Sequence, residues 1–216
     1  MQLDVPFYLN TNDGNQCMQV TMQGVLDYFL HLKKTVDELD VLTGRKKGYW
    51  TYTTQVVGAL WEMGLDVKMY SVDPLEPYTH DVASLKQYIR ETYPNQFETI
   101  MKMSDLPMTI VHSTKLKQMN LFEQRKLSFT EIENHIMQGH VPLMLIDHSV
   151  LEDENGNYRG HFVVVTGFGE NTITYHESGP KNPAPHRCVS KEQFIRAWDA
   201  PGTGNDVIIV LGKREK

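Results

Sequence analysis

The sequence predicts an α+β fold in which N-terminal helices pack on a later antiparallel sheet, and three observations carry that expectation. Apolar residues in the first third recur at helical spacing. Val-, Ile- and Tyr-rich runs separated by turn signals gather in the last third. No alternation of strand and helix joins the two, as a parallel α/β fold would require. At 216 residues, with ordinary apolar and charged fractions and no linker-like tract, the chain is expected to form a single domain, 1–216.

From Met18 the apolar side chains Met18, Met22, Val25, Leu26, Phe29 and Leu30 define one helix face, so Cys17 stands at a helix N-terminus. A short helix is expected from Thr35 to Thr43, stopped by Gly44, and another from Thr53 through Leu60 to Gly64. LDVKMYS (65–71) alternates and predicts an edge strand ahead of the breaker DPLEP. One amphipathic helix is expected around Leu85, Tyr88 and Ile89. The patterns near Met108–Val111 and Leu116–Leu127 are weakly helical, which makes about 72–127 a helical elaboration. SFTE from Ser128 forms a capping box for a helix ending at Gly139. VPLMLID (141–147), HFVVVTGF (161–168), TITYHE (172–177) and DVIIVLG (206–212) read as the sheet, with GEN and ENGN as turns. A second capping box at Ser190 and Gln193 opens a helix carrying Phe194, Ala197 and Trp198.

The net charge of -6, with no basic cluster beyond Arg45–Lys47, argues against nucleic acid as a partner. No apolar run is long enough to span a bilayer and the N-terminus has no signal-peptide pattern, so a cytoplasmic protein is expected. The two cysteines, Cys17 and Cys188, are expected as free thiols. CxxC, HExxH, GxGxxG, P-loop and GxSxG patterns are all missing, so neither metal nor cofactor is expected.

A thiol at a helix N-terminus is activated by unpaired N–H groups and the macrodipole, although free cysteine is also among the most buried residue types. Cys17 is therefore either a nucleophile or a packed apolar thiol. A nucleophile needs an imidazole, and the imidazole needs an acceptor. His161 opens the longest apolar strand and Glu177 closes the next. If these strands form a hairpin over GEN, the two side chains are neighbours, while His176 faces the other way and is the weaker candidate. Trp50, Tyr49 and Tyr52 are expected in the core more than in a cleft. His148, at the end of a strand, is expected at a rim or in a polar loop, and Cys188 is expected to be inert.

VPFYLNTNDGNQC followed by an amphipathic helix, then GHFVVVTGF, then a strand ending YHESGP, resembles the bacteriocin-processing cysteine peptidase-like family. The resemblance covers 5–30 and 128–212, and implies a papain-like fold acting on a peptide or protein substrate. It makes Cys17 the nucleophile, His161 the base and Glu177 the imidazole's partner, where the family more often has Asp. It also implies an oxyanion amide upstream of the cysteine, Asn10 by position with Gln16 as the alternative. Met18 stands where the family often has Gly. The implied activity is a thiol hydrolase cleaving a peptide or related amide through a Cys17 acyl-enzyme. The alternatives are a non-catalytic peptide-binding module and an acyl or amide transferase using the same pair.

Overall fold

A computed structural model describes residues 1–11, 14–154 and 156–215. Asn12 and Asp13 of the cysteine motif and Asn155 of the ENGN turn lie outside the described residues.

The strands are β1 Leu65–Ser71, β2 Phe122–Gln124, β3 Val141–Asp147, β4 Gly160–Phe168, β5 Thr172–Glu177, β6 Ala184–Ser190 and β7 Val207–Lys213. They form one sheet in the order β2-β1-β7-β3-β4-β5-β6. Every pairing is antiparallel except β1 with β2. In β3, β4 and β7 consecutive residues are buried rather than alternate ones, so both sheet faces are covered. The cover comes from helices α1 Cys17–Leu30 and α3 Thr53–Glu62 early in the chain, with α2 Val36–Thr43 against them. Helices α7 Phe129–Met137 and α9 Lys191–Trp198 supply the rest. The central core holds Phe162, Tyr175, Phe194 and Trp198, all essentially inaccessible to solvent.

Local chemistry sets the helix boundaries where it was expected to. Thr35 and Ser128 each close a reciprocal capping box, with Glu38 and Glu131. Gly44 ends α2 in the left-handed conformation at φ 67°. Ser190 caps α9 through the Gln193 N–H at 3.1 Å, but the expected box is only half formed, because Gln193 turns its amide to Leu151 O at 2.6 Å.

Two elements differ from expectation, and a third stretch follows it. β1 is not the edge, because β2, which weak helical periodicity concealed, pairs alongside it at Met69–Ser71. β6 carries Pro185 and a polar, half-exposed pattern, so it lacks the Val/Ile signature; it forms one edge of the sheet and β2 the other. The stretch expected as a helical elaboration holds a 3-10 turn at Glu76–Thr79, α4 Val82–Thr92, α5 Phe97–Met103 and α6 Leu106–Gln118. There Leu85, Ile89 and Leu106 form a small core of their own.

An N-terminal strap positions the thiol. Leu3 N–H donates to Thr166 O at 2.6 Å, Phe168 N–H to Met1 O at 3.0 Å and Asn10 N–H to Ser178 O at 2.8 Å. At the crossing, a Cβ on Gly167 would stand 2.4 Å from Met1 O, so only glycine admits the strap there. His176 is buried on the far side from Glu177, with its Nε2 2.7 Å from Val5 O; it anchors the strap. Among the described residues, no helix is long and apolar enough to cross a membrane.

Candidate active site

Cys17 is the first residue of α1 and is half-buried. The helix has no side-chain cap at Gln16, so its first-turn N–H groups are left for other acceptors. Burial pushes the thiol up. A hydrogen bond with His161, the charge of that ring and the N–H groups of Phe162 and Met18 outweigh burial and hold it below its ordinary value.

His161 sits at the second position of β4, buried, and Glu177 is the last residue of β5 and fully buried. The hairpin over residues 169–171 brings them together, with Gly169 N–H donating to Thr172 O at 2.9 Å. His161 Nε2 lies 2.9 Å from Glu177 Oε1, which also accepts the Gly179 N–H at 2.9 Å. With Nε2 so used, Nδ1 is the ring nitrogen left for the thiol. Burial disfavours the imidazolium, yet Cys17 and Glu177 together raise His161 to about 10. Burial likewise opposes the carboxylate, but His148, His161 and the Gly179 N–H hold Glu177 well below the usual carboxylate range. The three side chains adjoin in the order Cys17, His161, Glu177.

A fourth member was not read from sequence. His148 opens the short helix α8 His148–Leu151 directly after β3, and its ring meets that of His161 edge-on at 5.3 Å between centroids. Its Nε2 is 3.4 Å from Glu177 Oε2. The pairing of Asp147 with Gly160 puts the end of β3 beside the start of β4, and that register was the available signal.

The geometry departs from expectation at the oxyanion amides. Asn10 Nδ2 donates to Gly14 O at 3.3 Å and Gly179 O at 3.2 Å, so its two hydrogens stitch the loop before the thiol to the loop after Glu177. Gln16, expected as the alternative, is buried and gives a hydrogen to Asp40 Oδ2 at 2.8 Å while accepting from Thr11 Oγ1 at 2.7 Å. Asn15, between them, lines the cavity beside the thiol.

That cavity has a volume of about 450 Å³ and reaches from Cys17 and Met18 along Trp50, Tyr52 and Tyr158 to Asp206. Trp50 and Tyr52 therefore form a wall rather than core. Trp50 N–H donates to Met103 O at 2.7 Å and Tyr52 OH lies 2.8 Å from Ser104 Oγ, which ties α5 and α6 to the rim. At the far end Asp206 accepts from Thr53 Oγ1 at 2.6 Å; burial, with Asp73 nearby, pushes its carboxyl up to about 6. Cys188 is exposed on β6, away from these groups.

Residues 78–210 match a family model described as guanylylate cyclase. A C39-like peptidase structure from Bacillus anthracis aligns over 98% of this chain and 96% of its own, with TM-score 0.57 and 13% identity. The peptidase domain of Streptococcus ComA, a bi-functional ABC transporter of a quorum-sensing pathway, aligns over 94% and 96%, with TM-score 0.49 and 13% identity. The architecture is the α+β, papain-like fold of C39 peptidase domains.

Proposed function

The chain belongs to the guanylylate cyclase family, and within that family we propose for it the chemistry of a thiol hydrolase, cleaving a peptide or related amide through an acyl-enzyme on Cys17. The observation that carries this reading is the continuous contact from Cys17, which lines the cavity, through His161 to Glu177. The likeness to C39-like peptidase folds supports it.

In the proposed reaction the Cys17 thiolate attacks the carbonyl carbon. The developing oxyanion is received by the Cys17 N–H at the helix terminus. The imidazolium of His161 gives its Nδ1 proton to the leaving nitrogen as the C–N bond breaks. Water then attacks the thioester, with His161 taking its proton, and Cys17 departs as thiolate. Glu177 keeps the ring oriented and compensates its charge throughout. A transfer reaction differs only in that an amine replaces this water. Two free thiols suit a reducing compartment such as the cytoplasm.

The test is turnover of a peptide library by wild type and Cys17→Ala. Loss of cleavage in a folded Cys17→Ala protein is expected; equal cleavage by both proteins rules the reading out.

The family name raises a second reading, cyclisation of a guanine nucleotide. That reaction has no step for a thiolate nucleophile, since the substrate's own hydroxyl attacks phosphorus. Its anionic triphosphate would also meet Asp73 and Asp206, with Arg159 as the cationic side chain on the cavity wall. Incubation with GTP, with and without divalent cations, and chromatography for the cyclic product decides the matter: formation at enzymatic rates favours the cyclase.

A further inference from the structure

We propose that His148 is a positioning residue that holds the second oxygen of Glu177 and thereby sets the ionisation of Cys17. The inference rests on the thiol-hydrolase reading of the same site.

Glu177 Oε1 is committed to His161 and to the Gly179 N–H, but no well-formed hydrogen bond reaches buried Oε2. A carboxylate oxygen taken out of water without a donor is costly, so whatever polar hydrogen lies nearby matters. His148 Nε2 stands 3.4 Å away. Its tautomer is set from the other side. Arg159 Nη2 lies 3.2 Å from His148 Nδ1, and a guanidinium can only donate. The neutral ring therefore accepts at Nδ1 and carries its hydrogen on Nε2, the nitrogen 3.4 Å from Oε2.

Arg159 is itself braced by Glu154 at 2.6 Å and Ser149 Oγ at 2.9 Å. The line runs from Arg159 through His148, Glu177 and His161 to Cys17. The charged and titratable groups around His148 are Arg159, with Glu154 behind it, Asp147 on its own element, and His161 and Glu177 from the neighbouring strands. Lys181 reaches only Glu154, at 3.1 Å.

This arrangement accounts for glutamate at position 177. Its extra methylene lets one carboxylate span two imidazoles, where aspartate would draw back from both. Holding Oε2 keeps Oε1 in the plane of His161, and an oriented carboxylate sustains the imidazolium that sustains the thiolate.

The experiment is the pH dependence of iodoacetamide alkylation at Cys17, followed by peptide mass spectrometry, in wild type, His148→Ala, His148→Gln, Arg159→Met and His161→Ala. In His148→Ala the Cys17 midpoint should rise by about one pH unit, the order expected for removing the polar hydrogen nearest a buried charged oxygen. His148→Gln, which can present an N–H at the same reach, should restore most of it. Arg159→Met, made at a half-exposed side chain, should give a smaller rise. A rescue by Gln is what a merely structural role for the ring would not produce. If His148→Ala keeps or lowers the wild-type midpoint while His161→Ala raises it, this inference is overturned and the hydrolase reading stands. If His161→Ala leaves Cys17 unchanged, both fall.

Discussion

Replacing Glu177 by Gln tests whether the carboxylate sustains the ion pair or merely closes a strand. Gln keeps the length, and its carbonyl can still accept from His161 Nε2 and the Gly179 N–H, each at 2.9 Å in the wild type, so the fold should persist. What is lost is charge. A hydrogen bond to a charged partner contributes about 1.5–3 kcal/mol. At about 1.4 kcal/mol per pH unit, that loss lowers the pKa of His161 by about 1–2 units. The sign follows from the causes. Cys17 and Glu177 raise His161 to about 10 against its burial, so removing Glu177 lets the ring deprotonate at lower pH. The imidazolium is in turn what lowers Cys17, so the thiolate midpoint rises. The window in which both charges coexist narrows from each side. Thiolate ultraviolet absorbance, titrated in a Cys188→Ser background, reads the acid edge directly, and ring proton shifts of His161 read the alkaline one. Titrations of Glu177→Gln that superimpose on wild type at both edges would refute the proposed coupling.

Two further substitutions separate chemistry from scaffold. Asn10→Ala, which removes the bonds to Gly14 O and Gly179 O, should lower stability and leave kcat little changed; a fall of about 10²–10³ in kcat instead returns the oxyanion role to Asn10. Phe194→Ala empties a fully buried site against Tyr175 and Phe129 and should cost about 3–5 kcal/mol, seen as a lower denaturation midpoint at an unchanged m-value.

What was legible in the sequence was whatever depends on short-range chemistry. The boxes at Thr35 and Ser128 specify their helix starts within four residues, and the turn at 169–171 specifies a hairpin whose open end must place His161 near Glu177. Position along a helix likewise put Cys17 among unpaired N–H groups. Hidden features needed a third dimension. Asn10 offers an amide at a suitable distance from the thiol, but where its hydrogens go depends on the strap's path past Gly179, which no local pattern records. His148 acquires a role only because β3 and β4 pair in one register. Trp50 and Tyr52 are as apolar as core residues, and it is the backing of α5 and α6 that makes them a wall. β2 and β6 were missed for opposite reasons, one too short to show a period and one interrupted by proline.

The span matched to the guanylylate cyclase family holds His161, Glu177, most of the helical segment behind the cavity and Asp206, but begins after Cys17. The proposed nucleophile therefore comes from a separate stretch, the strap and the start of α1, which Leu3, Asn10 and His176 pin to the strands that carry the proposed base and its partner. That division bears on the choice between the two functional readings. Amide hydrolysis through an acyl-enzyme needs both stretches and must vanish with the thiol. Cyclisation of a nucleotide, whose nucleophile belongs to the substrate, draws on the matched span and should survive Cys17→Ala. One variant assayed against both substrate classes thus separates them, because the same substitution silences one chemistry and leaves the other running.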